Sequence, residues 1–207
     1  MEIDRSAGMW DERYSPDEYV YGREPNRFLT SMVDVITPGG TVLCLADGEG
    51  RNGVHLATAG FAVSSIDQSS RGVEKARTLA AESGVELDAE VGDLAVADLG
   101  DSAWDAIVSI VAHMAPEARR DLHTRVVRAL KPGGVFILEA YTPDQIGRGT
   151  GGPPVPELTM TLGALRDELA GLEEVHGVET LRPVVEGRGH TGEGAVVQFA
   201  ARRPHDH

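Results

Sequence analysis

An apolar run that leads straight into a glycine-rich turn limits the choice of fold more than any other segment of this chain. Residues 41–46 have the uninterrupted apolar pattern of a buried strand, and the turn at 48–53 follows directly. A short helix near 52–59 and a second strand at 61–66 come next. Strand, tight turn, helix and strand in this order predict the first unit of a parallel sheet covered by helices.

The same alternation of strand-like and helical patterns continues on both sides of this unit. Further helices are predicted at 28–36, 70–83, 116–130 and 159–169, and further strands at 85–91, 104–110, 135–140, 172–181 and 194–201. Between residues 142 and 156 the chain is rich in Gly and Pro, which predicts a surface loop. The fold class is therefore α/β.

Length and composition indicate one well-packed domain. A chain of 207 residues with 41% hydrophobic content can bury one core and is too short for two domains of ordinary size. Cys44 is the only cysteine and lies in an apolar run, so neither a disulfide nor a zinc site is predicted. The chain has no basic start followed by an apolar stretch, and no apolar run long enough to cross a bilayer. We expect a cytoplasmic protein with no metal and no membrane partner.

The charge of the chain argues against nucleic acid as a partner. The formal net charge is −14, and the basic residues are scattered among acidic ones instead of forming a stripe. A polyphosphate backbone would be repelled by such a surface. We therefore expect a small-molecule substrate, and the sequence leaves the oligomeric state open.

The glycine turn carries the first candidate binding residues. Residues 48–53 match the pattern G-x-G-x-x-G, and Asp67 lies where dinucleotide-binding folds place an acid that binds ribose. Glycines let the backbone approach a ligand closely, and a carboxylate at a strand end can accept hydrogen bonds from ribose hydroxyls. Taken alone, this pattern is also typical of a nicotinamide-dependent oxidoreductase.

Three features favour S-adenosylmethionine over a nicotinamide cofactor. Asp93 follows the third predicted strand, where its carboxylate can accept from the exocyclic amine of adenine. The segment 130–134 precedes the fifth strand, and we expect too little chain after it for a separate catalytic domain. Asp47 and Glu49 place negative charge in the turn, which opposes a pyrophosphate but tolerates a sulfonium and an ammonium group.

With these motifs the chain resembles the class I S-adenosylmethionine-dependent methyltransferases over roughly residues 10–202. Residues 45–50 are similar to the first motif of that family, 65–67 to the second, 92–94 to the third and 104–109 to the fourth. The resemblance implies a Rossmann-like three-layer αβα sandwich, with a mostly parallel seven-stranded sheet whose last strand is antiparallel. It also implies S-adenosyl-L-methionine as cofactor and S-adenosyl-L-homocysteine as product.

Within that class, the chain is most similar to the tellurite-resistance-type and thiol methyltransferases. The turn at 50–52 and the segment His190-Thr191 carry this narrower resemblance. The first motif departs from the usual pattern at three positions: Cys44 stands where an acid is usual, Ala46 replaces the first glycine, and Asp47 occupies a frequent cysteine position.

The resemblance implies a set of cofactor-binding residues along the carboxyl edge of the sheet. They are Ala46, Asp47, Gly48, Gly50 and Asn52 in the turn, Asp67 and Gln68 after the second strand, Gly92, Asp93 and Leu94 after the third, and Ser109 in the fourth. The single domain, residues 1–207, divides into an N-terminal lid (1–24), a cofactor-binding core (25–141) and a substrate-side loop with a C-terminal hairpin (142–207).

The expected lid contains an aromatic cluster. Trp10 and Tyr21 could place aromatic faces beside a sulfonium, which gains cation–π attraction, and Arg13 could pair with the cofactor carboxylate. Packing of this segment against the sheet edge is the alternative.

Candidate catalytic residues follow the later strands. His113 comes after the fourth strand and is a candidate base, Tyr141 ends the fifth strand, and His190 precedes the last. A thiol or chalcogen oxyanion acceptor needs little more than alignment, whereas oxygen or nitrogen of a metabolite more often needs a base. Transfer to a soft nucleophile on a small molecule is the preferred interpretation. An O- or N-methyltransferase, a nicotinamide-dependent oxidoreductase and a non-catalytic cofactor-binding protein remain alternatives.

Overall fold

The computed structural model describes residues 6–187 and 190–205. The strands are β1 (Thr41–Leu45), β2 (Ala62–Asp67), β3 (Asp88–Val91), β4 (Trp104–Ile110), β5 (Leu130–Tyr141), β6 (Glu173–Glu186) and β7 (His190–Arg202). The α-helices are α1 (Ala7–Arg13), α2 (Arg27–Met32), α3 (Arg51–Thr58), α4 (Ser70–Ser83), α5 (Pro116–Ala129) and α6 (Leu162–Glu168). Short 3-10 helices lie at Val33–Val35, Pro143–Gln145 and Pro156–Leu158.

All seven strands form one sheet in the order β3-β2-β1-β4-β5-β7-β6. The strands from β1 to β5 pair in parallel, and β7 runs antiparallel to both of its neighbours. The predicted α/β sandwich with a mostly parallel seven-stranded sheet and an antiparallel last strand is confirmed. Because the chain moves outward from β1 to β3 and then returns to β4, the strand order reverses between β1 and β4.

Helices cover both faces of the sheet, so its central strands are buried on both sides. In β1, Leu43 and Leu45 pack in the same core cluster as Leu122 of α5. Val42 and Cys44 alternate with them and pack on the opposite face. Cys44 is 1% exposed, and burial raises the pKa of its thiol, which fits a core residue and not a nucleophile.

Several element boundaries differ from the predicted ones. β1 ends one residue early because Ala46 has a left-handed backbone, with φ of 51°. The helix predicted at 28–36 ends as an α-helix at Met32 and continues as a 3-10 turn, and β3 begins at Asp88 instead of residue 85. The segment 130–134, which was expected to precede the fifth strand, lies inside β5 as an irregularity, where the pairing with β4 shifts between Trp104 and Ala106.

The two last strands form a hairpin that is longer than predicted. Its pairing runs from Glu173 opposite Arg202 to Glu186 opposite His190. β6 is the edge strand and contains Pro183, a residue that sheets tolerate at edges because it donates no ladder hydrogen bond. In the part of the chain that the structure describes, no helix is long and apolar enough to cross a membrane.

Candidate active site

A cleft of about 880 Å³ opens at the carboxyl edge of the sheet. Its walls are the turns after β1, β2, β3 and β4, the N-terminal segment before α2, and a loop at residues 151–154. Open α/β sheets bind their ligands at the carboxyl edge where the strand order reverses, and here that point lies between β1 and β4. This cleft is therefore the candidate active site.

Most of the predicted site residues meet in this cleft. It is lined by Trp10, Arg13, Tyr21, Ala46, Asp47, Gly48, Asn52, Asp67, Gln68, Gly92, Asp93, Leu94 and His113. The lining does not include Gly50, Ser109 or Tyr141. Gly50 caps α3, Ser109 is buried in β4, and Tyr141 packs beneath Gly152. The backbone of His190 begins β7, and its side chain lies outside the described residues.

The glycine turn needs its glycines because the backbone and its neighbours leave no room for side chains. Gly48 and Gly50 have φ of 56° and 88°. A Cβ atom on Gly48 would lie 2.6 Å from the Tyr14 hydroxyl oxygen, and one on Gly50 would lie 2.6 Å from the Cβ of Ala76. Ala46 also has a positive φ without being glycine, a conformation that is strained for an L-residue.

Asp67 ties the glycine turn to the end of β2. Its Oδ2 accepts from the Gly48 amide at 2.8 Å and its Oδ1 accepts from the Ser69 amide at 2.8 Å. The residue is 7% exposed, and burial raises the pKa of its carboxyl although these two amides oppose the rise. Each carboxylate oxygen can accept a second hydrogen bond, so Asp67 is suited to bind hydroxyl groups in the cleft.

Asp93 stands at the exposed rim of the cleft, after β3. Its Oδ1 accepts from the Ala95 amide at 2.8 Å, which holds the turn. The amide of Gly92 donates to the carbonyl of Asp67 at 2.9 Å, so the two acidic strand ends are joined by the backbone. Leu94, beside Asp93, is 8% exposed and adds an apolar surface to the same wall.

The two acids of the turn carry less free negative charge than the sequence suggests. Burial raises the pKa of Asp47 to about 7, and both of its oxygens lie near the amide of Gly53, at 3.1 and 3.3 Å. Glu49 pairs with Lys75 at 2.6 Å and accepts from the Val20 amide at 2.8 Å. These two residues therefore repel a pyrophosphate less than the sequence suggests. Asp47 is partly protonated near neutral pH, and Lys75 neutralises the charge of Glu49.

The N-terminal segment is fastened along one side of the cleft. Asp11 accepts from the hydroxyl of Ser69 at 2.6 Å at the start of α4. Arg13 donates to the hydroxyl of Tyr21 at 2.9 Å and lies 5.1 Å from the ring centre of Trp10. The segment thus contacts the helices beside the cleft and also presents Trp10, Arg13 and Tyr21 to it.

Tyr14 is a site residue that sequence reasoning missed. It is 6% exposed, stacks on Trp10 with ring centres 5.6 Å apart, and meets Tyr21 edge-on at 6.2 Å. Its hydroxyl lies against Gly48, and burial raises the pKa of that hydroxyl. The aromatic cluster was visible in the sequence, but the contact with Gly48 depends on how the segment folds back over the turn.

His113 is held by backbone groups on both sides of its ring. Nδ1 lies 2.8 Å from the carbonyl oxygen of Leu158, and Nε2 accepts from the Tyr141 amide at 3.4 Å. Because a carbonyl only accepts, Nδ1 carries the proton and the ring is the neutral tautomer. The ring also stacks on Tyr141 at 5.8 Å, and burial raises the pKa of the Tyr141 hydroxyl. In this arrangement His113 and Tyr141 support the cleft wall.

The loop at 151–154 belongs to the segment that was expected on the substrate side, and it forms a second wall of the cleft. Gln145, 2% exposed, donates to the Thr150 hydroxyl and to the Gly151 carbonyl, both at 2.8 Å, and accepts from the Ala195 amide at 2.9 Å. It therefore anchors the loop to β7. The Gly-Gly-Pro-Pro run at 151–154 was the available signal, since such runs mark surface loops, and surface loops often carry binding residues.

A buried ionic network stands behind the glycine turn. Arg51 pairs with Glu186 at 2.6 Å, and Arg182 pairs with Glu139 and, at 2.9 Å, with Glu186. Asn26 donates to Glu139 at 2.7 Å and to Glu186 at 3.0 Å. The network joins the first turn of α3 to β5 and β6 and was not foreseen, because its members are far apart in the chain. Among residues 6–187 and 190–205, no three His, Cys, Asp or Glu side chains are placed to hold a metal ion.

Open α/β folds that bind a nucleoside-containing cofactor combine a glycine turn after the first strand with a cleft where the strand order reverses, and this chain has both features. Residues 42–134 match the family described as "Methyltransferase domain". The chain is 32% identical over 133 residues to the uncharacterized methyltransferase YbaJ of Bacillus subtilis. That alignment covers 63% of this chain and 48% of YbaJ, so the chain spans about half the length of this curated relative.

Solved structures are similar over nearly the whole chain. One, from work on the conversion of a disulfide bond into a thioacetal group during echinomycin biosynthesis, has a TM-score of 0.79 at 20% identity and covers 97% of this chain and 93% of its own. TehB from Haemophilus influenzae has a TM-score of 0.71 at 18% identity, covering 94% and 65%. At such identities these likenesses show the fold. The chain is thus similar to methyltransferases over residues 42–134 and has the fold of these solved structures over nearly its whole length.

Proposed function

We propose that this chain transfers a methyl group from S-adenosyl-L-methionine to a soft nucleophile, a thiol or a chalcogen oxyanion, on a small molecule. One observation supports this proposal most directly. The Gly48 turn, Asp67 and Asp93 line the same cleft, which lies where the strand order reverses. The match of residues 42–134 to a methyltransferase domain supports S-adenosylmethionine over a nicotinamide as the cofactor.

The residues of the cleft fit the proposed cofactor. Asp67 would accept from the ribose hydroxyls, and Asp93 would accept from the adenine amine beside the apolar side chain of Leu94. The carbonyl of Ala46 and the turn around Gly48 would take the methionine end. The same wall of the cleft also includes Asp47, Asn52, Gln68 and Gly92. Gly50 would shape the turn, and Ser109 would support β4 from inside the sheet.

The N-terminal segment would complete the cofactor site from the other side. Trp10 and Tyr21 present aromatic rings to the cleft, where an aromatic face attracts a cationic sulfonium. Arg13 has guanidinium donors that could bind a carboxylate. We therefore propose that residues 1–24 act as a lid, 25–141 as the cofactor-binding core, and 142–207 as the acceptor side.

The protein would act chiefly by positioning the two reactants. When bound, S-adenosylmethionine supplies an electrophilic methyl group that passes to the lone pair of the acceptor, so that S-adenosylhomocysteine and, for a thiol acceptor, one proton are released. The glycine turn and Asp67 would position the cofactor, and the walls at 111–118 and 151–154 would position the acceptor. Alignment of this kind lowers the entropic part of the barrier. His113 and Tyr141 would keep the walls in place, and His190 stays a candidate residue for the acceptor side.

A second acceptor class is favoured by one observation, which is that His113 lines the cleft. If its Nε2 exchanged the Tyr141 amide for an acceptor group, His113 could serve as a base for an oxygen or nitrogen nucleophile. The single cysteine, Cys44, is buried and forms no disulfide, which supports a cytoplasmic setting. The net charge of −14 supports a small-molecule acceptor over nucleic acid.

The proposal is tested by incubating the protein with labelled S-adenosylmethionine and a panel of thiol, tellurite, selenite, catechol and amine acceptors. We expect methylation of a thiol or chalcogen acceptor and little of the others. Methylation confined to the catechol or amine, and lost in His113→Ala, would favour the second acceptor class. Cofactor binding without turnover of any acceptor would favour a non-catalytic binding protein.

A further inference from the structure

The lining of the cleft includes apolar side chains from two segments, which approach each other because His113 of one and Gly152 of the other both contact Tyr141. Met114, Ala115 and Ala118 line it where β4 passes into the first turn of α5. Pro153 and Pro154 line it from the loop that Gln145 anchors to β7. These segments follow the fourth and fifth strands, whereas the proposed cofactor residues follow the first three. The apolar walls are therefore assigned to the acceptor.

The charged groups of the same cleft leave little free positive charge for an anion. Glu49 pairs with Lys75 and Asp47 is partly protonated, so Asp67 and Asp93 carry the negative charge of the lining. Its positive charges are Arg13 and Arg51. The guanidinium of Arg51 pairs at 2.6 Å with Glu186, which is 5% exposed. With a net charge of −14 on the whole chain, the field at the cleft disfavours an approaching anion.

We propose that the methyl acceptor is an apolar thiol without other charged groups, bound between residues 111–118 and the loop at 151–154. This inference rests on the proposed function and narrows it, because it excludes the chalcogen oxyanions. An oxyanion has no apolar surface to bury against methionine, alanine and proline side chains, and it would meet the acidic field. An apolar thiol buries its hydrocarbon part against the same side chains. Its proton passes to water as the S–CH3 bond forms.

The test compares a neutral thiol with an anionic thiol of similar length and with two chalcogen oxyanions. Hexanethiol, mercaptohexanoate, selenite and tellurite are each incubated with the wild-type protein and labelled S-adenosylmethionine, and kcat/KM is measured. We expect hexanethiol to exceed mercaptohexanoate by about tenfold or more, because burying an unpaired carboxylate against apolar walls is costly. Selenite and tellurite should give no turnover above background. Equal or higher kcat/KM for mercaptohexanoate, selenite or tellurite would overturn the inference.

A charge placed on the wall should redirect this preference. Ala118→Arg should raise kcat/KM for mercaptohexanoate relative to hexanethiol by about tenfold, since an ion pair then replaces an unpaired carboxylate. Thr124→Arg is the matched control. Thr124 is exposed further along α5, so this substitution adds the same charge outside the cleft lining. Unchanged acceptor preference in Ala118→Arg, with S-adenosylhomocysteine affinity kept, would contradict the assignment of this wall.

The measurements separate failure of the inference from failure of the proposed function. If no acceptor is methylated and S-adenosylhomocysteine does not bind, the proposed function fails. If an anionic acceptor is methylated best, the protein is a methyltransferase and only the apolar acceptor site is wrong. If Ala118→Arg does not fold, the wild-type ratio of the two thiols still decides the inference.

Discussion

Asp67 is the side chain that joins the glycine turn to the end of β2 in the proposed cofactor site. It holds the Gly48 and Ser69 amides at 2.8 Å each and lines the cleft at the same time. A carboxylate at the end of β2 was predictable from its spacing after the glycine turn. Its second role, holding the glycine turn, was not predictable, because the hydrogen bond from the Gly48 amide to the Asp67 carboxylate depends on the register of β1 against β2.

Asp67→Ala should weaken binding of S-adenosylhomocysteine by about 1.5–3 kcal/mol, the range for hydrogen bonds to a charged group. Titration calorimetry measures this directly. Asp167→Ala removes an exposed carboxyl from α6 and should leave the affinity unchanged. Equal affinity of Asp67→Ala and the wild-type protein would mean that the ribose contact is misplaced.

Ala46 combines an ordinary residue type with a backbone conformation that favours glycine. At φ of 51° the strain costs roughly 1–2 kcal/mol, and glycine loses roughly 0.5–1 kcal/mol of extra entropy on folding. Ala46→Gly should therefore stabilise the protein by about 0.5–1 kcal/mol in urea unfolding. Ala59→Gly, at an ordinary φ of −76°, should instead destabilise it. Destabilisation by both substitutions would show that Ala46 is unstrained.

At the scale of elements, helix α6 is joined to α5 by a buried ion triad. Arg119 pairs with Glu168 at 2.6 Å, and Nδ1 of His123 lies 2.7 Å from the same carboxylate. Burial raises the pKa of Glu168, but the hydrogen bonds from His123 and Arg119 outweigh it and lower the pKa to about 2. The triad keeps α6 beside the segment that carries Leu158, the carbonyl that holds His113.

Glu168→Gln should cost roughly 3–5 kcal/mol of stability at neutral pH, since it leaves the Arg119 guanidinium buried without its charge partner. Because the folded pKa of Glu168 lies below its usual value of 4.5, the stabilisation is complete above that pH and is lost as the pH falls toward 2. Denaturant unfolding at several pH values should therefore show that the difference in unfolding free energy between variant and wild type decreases below pH 4.5. Asp167→Asn, on the surface of the same helix, is the control, and a gap independent of pH would contradict this account.

Local patterns predicted the elements well and the longer-range features poorly. The strands β1, β2 and β4 and the helix α4 followed from apolar period and from turn residues. The end of β1 was misplaced because alanine gives no signal for a left-handed backbone. The full length of β6 and β7 was missed because pairing of the hairpin extends into the polar residues Glu186 and His190.

At the scale of the whole molecule, the N-terminal segment, the glycine turn and the C-terminal hairpin are joined by buried polar contacts. Asn26 connects to both Glu139 and Glu186, and Glu49 connects the turn to Lys75 and to the Val20 amide. Such contacts between distant segments decide which walls enclose the cleft. The sequence indicated the cofactor edge through its strand-end acids, but the apolar wall at 151–154 required the fold.

We propose above all that this cleft binds S-adenosylmethionine and its product. Titration calorimetry of the unmodified protein with S-adenosylhomocysteine, and separately with NAD, tests it most directly, because the glycine turn alone fits either cofactor class. We expect one S-adenosylhomocysteine to bind per chain, with no heat of binding from NAD. Binding of NAD without binding of S-adenosylhomocysteine would contradict the account.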